Sequence, residues 1–217
     1  QTYNSGVHLQ NLKIQSGNTL FVRPTDETEI YNCIMGLKAS NSRDIYDLNT
    51  TVIKHIWPLL LEPLSFLINK CISEAIFPKC LKIAKVIAVH KKGDLNSPNN
   101  FRPISLLPIL SKIFELILKN RIVLYFEQNN LFVKQQYGFR ANKSTTLATL
   151  ELIENVLLNF EDRKITCATL IDLSKAFDCV SHELLLQKLK FYGIRRLMYQ
   201  LLSSYLKNRV QTVYEKK

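Results

Sequence analysis

No stretch of this 217-residue sequence is apolar for long enough to cross a bilayer. The most apolar run, Ile56 to Ile68, is broken by Pro58, Glu62 and Pro63 and falls short of the ~20 residues a spanning helix needs. No N-terminal run resembles a signal peptide, so the chain reads as intracellular. The five cysteines, Cys33, Cys71, Cys80, Cys167 and Cys179, form no CxxC pair, which leaves no zinc spacing and no disulfide framework to recognise. They are expected to be reduced thiols, mostly buried. No internal repeat or low-complexity segment is present. Acidic residues are scarce relative to basic ones, 18 against 29, for a net charge of +11.

What is present is a hydrophobic fraction of 47%, ample for a globular core, and a concentrated positive charge. Residues 82–143 hold 11 basic and 3 acidic groups, +8 of the total +11. Such a block attracts phosphate backbones or anionic membranes, because counterion release favours binding to a polyanion. A solvated lysine-rich face is the alternative that charge alone leaves open.

The first 48 residues are polar and rich in turn formers, with one short helix expected near Thr28 to Leu37. From Leu48 to Ile76 apolar residues recur at helical spacing, and Pro58 and Pro63 divide them into two helical pieces or one kinked helix. Ile83 to Val89 is a β-rich run that ends in the charged turn His90-Lys91-Lys92-Gly93-Asp94. Ser111 is placed to cap a helix over Lys112 to Gln128, and Ser144 another over Thr145 to Phe160. Between them lies Gln136-Tyr137-Gly138-Phe139-Arg140, where aromatic faces beside cations suit stacked bases and phosphates. A core turn with an exposed arginine is the other reading. Ile165 to Leu173 reads as a strand apolar on both faces, as at the centre of a covered sheet. Ser181 then caps a helix closed by Gly193, followed by a helix over Arg195 to Lys207 and a strand over Val210 to Tyr214.

Asp172 is the most informative residue. It follows six uncharged residues, Thr166 to Ile171, and an unpaired carboxylate in a buried strand would cost several kcal/mol, by order of magnitude. Either Lys175 pairs with it, or it holds a divalent cation at a strand end beside a cationic groove. Asp178 reads as a structural carboxylate and His182 as part of a helix start.

The segment Leu170-Ile171-Asp172-Leu173-Ser174-Lys175-Ala176-Phe177-Asp178-Cys179-Val180-Ser181-His182 resembles the first catalytic motif of non-LTR retrotransposon reverse transcriptases of the jockey and LINE-like kind. Upstream, Phe101-Arg102-Pro103-Ile104-Ser105-Leu106-Leu107 resembles the first fingers motif of that family. Gln136 to Arg140 with Ser144-Thr145 resembles its second, and Ile76-Phe77-Pro78, Ala84-Lys85-Val86 and Lys91-Lys92-Gly93-Asp94 match its lead-in. The resemblance implies an α/β (α+β) fold: the fingers of a right-hand polymerase leading into a partial palm, truncated before the rest of the palm sheet and the thumb. Residues 1–48 would be a lead-in, 49–164 the fingers-like region and 165–217 the start of the palm. It also implies RNA-directed DNA polymerisation with Mg2+ or Mn2+, an RNA template, a DNA primer and dNTP, and the nucleus as a place of action.

Carried over position by position, the resemblance makes Asp172 the metal-binding catalytic residue, with the Leu173 carbonyl as a backbone ligand. Lys91 and Arg102 would grip the triphosphate. Phe177 would lie beneath the incoming sugar, and Gln136, Tyr137, Gly138, Phe139 and Arg140 against template and nucleotide. Such roles make physical sense, since phosphoryl transfer rests on positioning and charge neutralisation. Two departures stand out. The chain holds no Asp-Asp dipeptide, and after Asp178 its only acids are Glu183 and Glu215, so the second carboxylate of two-metal chemistry is not supplied. The isolated chain is therefore expected to be inactive, with the missing C-terminal palm and thumb as its natural packing partner. Between Ser40 and Leu48 the sequence also departs from the family's lysine-serine-proline-glycine-x-aspartate turn.

Overall fold

Several helix starts in this chain fall where the sequence offers an acceptor to the orphan amides of a first turn. The computed structural model describes residues 17–173 and 176–213. Asp26 accepts from Glu29 N at 2.7 Å to open α1 (Glu27–Gly36), and Asn49 accepts from Val52 N at 2.8 Å to open α2 (Thr50–His55). Pro58 occupies the first turn of α3 (Trp57–Ser73), where its missing N–H costs nothing, and the helix continues through Pro63. Of the two alternatives, separate helical pieces form, with the break at Ile56 and no interruption at Pro63.

The expectation for Ser111 needs correction. Helix α4 (Ile109–Gln128) starts before it, and Ser111 lies buried in the first turn with its hydroxyl donating to Glu115 at 3.0 Å. The acceptor at this helix start comes from far away in sequence: Asp44 Oδ2 takes the Ile109 N–H at 2.8 Å. Ser144 does cap α5 (Thr145–Glu161), accepting from Leu147 N at 3.2 Å. The order closes with α6 (His182–Phe191), α7 (Arg196–Leu206) and the last strand.

Three strands form one sheet among the described residues, β1 (Ile83–His90), β2 (Phe101–Leu106) and β3 (Val210–Val213), in the order β2-β1-β3. The β1–β2 pair is antiparallel and β1–β3 parallel, so the architecture is mixed α/β. Tyr214, assigned to the last strand on sequence, lies outside the described residues, as do Gln1 to Ser16 of the polar lead-in and Ser174 and Lys175.

The chain divides into two units, residues 1–125 with 182–217, and residues 126–181. The first contains the core. Ile30 and Ile34 of α1, Leu64, Ile68 and Ile72 of α3, Ile113, Phe114 and Ile117 of α4, and Met198 and Leu201 of α7 are all buried. Phe77 is stacked on Phe114 with ring centroids 5.0 Å apart and meets Tyr205 edge-on, also at 5.0 Å. One buried cation is fully engaged here. Arg121 donates to both Glu29 oxygens, at 2.7 and 3.3 Å, and to the carbonyls of Arg23 and Pro24. Burial alone would raise the Glu29 carboxyl; the hydrogen bonds from Arg121 and Thr25 outweigh that and hold it below the ordinary value.

Gly193 closes the turn after α6 at φ +97°, and a Cβ there would collide with the Tyr125 hydroxyl and the Asn18 carbonyl. The same hydroxyl lies 2.9 Å from the Asn18 carbonyl and 3.0 Å from that of Tyr192. Gly193→Ala is therefore expected to cost about 2 kcal/mol, because both the backbone conformation and the space are taken away. Chemical denaturation checks this, and a loss under ~0.5 kcal/mol would contradict it.

The second unit and the cysteines each differ from expectation. Ile165 to Leu173 forms no strand; it is an exposed segment, with Ile165 98% and Leu170 91% accessible. A central strand exists only by pairing with neighbours, and the strands this chain forms pair with each other in the first unit. The cysteines are free, as expected, but not mostly buried. Cys33 is buried and Cys71 intermediate, whereas Cys80, Cys167 and Cys179 are exposed, the last two in the stretches 164–173 and 176–181, whose residues are all exposed.

Candidate nucleotide and nucleic-acid interface

In the first unit the site residues sit on the β1–β2 hairpin. Ala84 and Val86 point into the core, so the alternate residues Lys85, Ile87 and Val89 form the opposite face. The register pairs Val89 with Arg102 and Ile87 with Ile104. Arg102 therefore shares that outer face, and it is exposed. The ladder runs one step further: Lys91 N donates to Asn100 O at 2.8 Å, which gives Lys91 the same parity as Arg102.

The loop between the strands is tied down. His90 Nε2 lies 3.0 Å from Gly93 O and its ring meets Phe101 edge-on at 5.3 Å. Asn100 Nδ2 donates to Asp94 O at 2.8 Å, passing so close to Gly93 (φ +90°) that a Cβ there would stand 2.7 Å from it. Lys91 and Lys92 are thus exposed cations on an ordered turn. Sequence reasoning found the cations but missed Asn100, the side chain that holds them; Gly93 was the available signal.

In the second unit the stretch from Gln136 to Arg140 is a turn whose arginine faces inward. Arg140 donates to both Glu127 oxygens, at 3.1 and 2.8 Å, and to Val133 O at 3.2 Å, with its guanidinium 5.0 Å from the Phe132 ring centroid. Its side chain is 14% exposed. This geometry makes Arg140 the clamp of the turn. Lys143 lies 4.6 Å above the Tyr137 ring. Gln136 and Gly138 are exposed, and no atom would touch a Cβ on Gly138.

Phe139 protrudes, 90% exposed, from a backbone at φ +61°, a conformation costly for a side chain of its size. Its ring meets that of Phe177, 80% exposed, edge-on at 6.2 Å. The structure therefore brings together two of the aromatics singled out in sequence.

Asp172 and Leu173 lie in the exposed segment before Phe177. The desolvation argument for Asp172 does not apply here, since the carboxylate is not buried, and its alternative partner Lys175 is outside the described residues. No three His, Cys, Asp or Glu side chains group as metal ligands among the described residues. The described donors do not by themselves make a metal centre. Asp178 is exposed and His182 is the first residue of α6, in keeping with its reading as a helix start.

Residues 89–217 match the family described as reverse transcriptase (RNA-dependent DNA polymerase). Three similar proteins come from Drosophila melanogaster. The probable RNA-directed DNA polymerase from transposon BS is 30% identical over 93% of this chain and 22% of its own length. The RNA-directed DNA polymerase from mobile element jockey is 31% identical over 75% of the chain and 18% of its own. For the probable RNA-directed DNA polymerase from transposon X-element the figures are 31%, 67% and 16%. The chain thus spans about a fifth of the length of these relatives. With the match covering more than half of its residues, the chain belongs to the reverse transcriptase family and is related to the polymerases of non-LTR retrotransposons such as BS, jockey and X-element.

Proposed function

We propose that this chain is the fingers and the first palm segment of an RNA-directed DNA polymerase, able to bind nucleic acid but inactive alone. The observation that carries the reading is the hairpin, whose register gives Lys91 and Arg102 the parity of Val89, opposite the face on which Ala84 and Val86 are buried. Two cations on one face suit a triphosphate or a phosphate backbone. Phe177 would lie against the sugar, and Gln136, Tyr137, Gly138 and Phe139 against template and nucleotide, while Arg140 holds their turn in shape. The reverse transcriptase family uses divalent metals. Asp172 and the Leu173 carbonyl would be part of such a centre, and the remaining ligands would come from polypeptide beyond this chain, as would the rest of the palm and the thumb.

The second reading is a nucleic-acid-binding remnant, favoured by the absence, among the described residues, of any group of three His, Cys, Asp or Glu side chains that could hold a metal ion. Primer extension and RNA binding test what the two readings share. The purified chain is expected to bind RNA with a salt-dependent affinity and to extend no primer. Arg102→Ala and Lys91→Ala should each reduce the salt slope by about 1, and Asp172→Asn should leave binding unchanged. Magnesium-dependent extension that disappears in Asp172→Asn would sink the claim that the chain is inactive alone. Absence of RNA binding at low salt would sink both readings.

A further inference from the structure

Helix α4 carries an outer face that the hairpin site does not use. Lys112, Glu115, Leu116, Lys119 and Ile122 are each three or four residues from another of the set, so they form a single stripe about 15 Å long at 1.5 Å per residue. Together with Leu202 and Tyr205 of α7 and Leu37 just past α1, they line a groove of about 490 Å³. Its floor is apolar, with Leu202 7% exposed. Glu115 is already engaged, accepting from Ser111 at 3.0 Å and lying 3.8 Å from Arg209. Lys112 and Lys119 stand seven residues apart along the stripe, and neither makes a salt bridge among the described residues.

The surface is therefore an apolar slot three turns long with a cation near each end. A phosphate backbone would match the lysines but leave the leucines facing water and bring charge against Glu115. An apolar helix lying along α4 satisfies both features, provided it carries acids one heptad apart. We propose that this groove docks a helix of a protein partner, with its leucine-like side chains in the slot and its carboxylates on Lys112 and Lys119.

The test uses the whole chain and a labelled synthetic helix with leucines at i, i+3, i+4 and i+7 and glutamates seven residues apart. Fluorescence anisotropy should show saturable binding. Lys112→Glu combined with Lys119→Glu should weaken it at least about tenfold, and the same variant should bind a probe with lysines in place of the glutamates. Both positions are on the surface, so unchanged circular dichroism is expected. Leu116→Asp provides a second variant that removes the apolar contact and should also abolish binding. No saturation at millimolar probe, or binding that charge reversal leaves unchanged, would overturn the proposal. So would sedimentation showing that the chain dimerises through this face, dissolved by the same reversal, since the occupant would then be a second copy.

Discussion

Asp44→Ala is expected to destabilise the first unit by roughly 3–5 kcal/mol, a large part of the total stability of an ordinary domain. The side chain is 3% exposed and one carboxylate serves three donors. Oδ1 accepts from Tyr46 N at 2.9 Å and Leu48 N at 3.0 Å, closing its own turn, while Oδ2 accepts from Ile109 N at 2.8 Å. A carboxylate at a helix N-terminus also faces the positive end of the helix dipole. Alanine would leave these amides without acceptors, and the Ile109 N–H, in a residue 2% exposed, has little access to water. Hydrogen bonds to a charged acceptor are worth about 1.5–3 kcal/mol each; the total is discounted because the turn amides are only partly buried.

Asn is the sharper variant. Its single carbonyl oxygen can serve the turn or the helix start, but its amide would then present a donor to another donor. Asp44→Asn should therefore recover less than half of the loss. Thermal unfolding followed by the helical signal measures this, with a drop on the order of 10 °C for alanine in a unit of this size. A fall of under 2 °C, roughly what a neutral surface change gives, would mean that water replaces the carboxylate without difficulty.

This residue also shows where sequence reading stopped. Helix α5 and its Ser144 cap, the two pieces on either side of Ile56, and the strand ending at the charged turn were legible because each is specified by neighbours within a few residues. The start of α4 was not, because its acceptor lies 65 residues away and the nearer Ser111 offered a plausible local substitute. The turn at Ser40 to Leu48 departs from the family pattern, yet it is built: Ser40 N donates to Thr50 Oγ1 at 2.7 Å, and the same hydroxyl lies 3.1 Å from the carbonyls of Lys38 and Ser40. In the candidate site, Lys91, Arg102 and Phe177 came from the family resemblance, and nothing in the sequence indicated the inward role of Arg140, which depends on Glu127 and Phe132 closing over it.

Ile165 to Leu173 was misread for a different reason. Its composition reports the environment a segment is suited to, and the described residues do not provide that environment. Helix α5 tells the same story, since none of its residues is buried and Leu150, Leu157 and Phe160 are 50%, 56% and 79% exposed. No backbone amide from Ile165 to Leu173 donates a hydrogen bond among the described residues. An apolar helix face left open in this way, followed by an unpaired apolar segment, invites association.

The purified chain is accordingly expected to self-associate as concentration rises, with amides 165–173 exchanging at nearly unprotected rates while those of β1 stay protected. Leu150→Asp with Leu157→Asp should shift sedimentation to the monomer and cost under ~0.5 kcal/mol, because neither side chain gives up a buried contact. Ile113→Asp, at a position with no exposure, should instead unfold the first unit by burying a charge without a partner. Joining the chain to the segment that follows in a full-length relative tests what the surface is for. Protection appearing over 165–173 together with loss of self-association would identify that segment as the missing sheet neighbour. A monomeric chain with 165–173 already protected would mean that its own residues cover the segment, and the case for a palm completed from outside would fail.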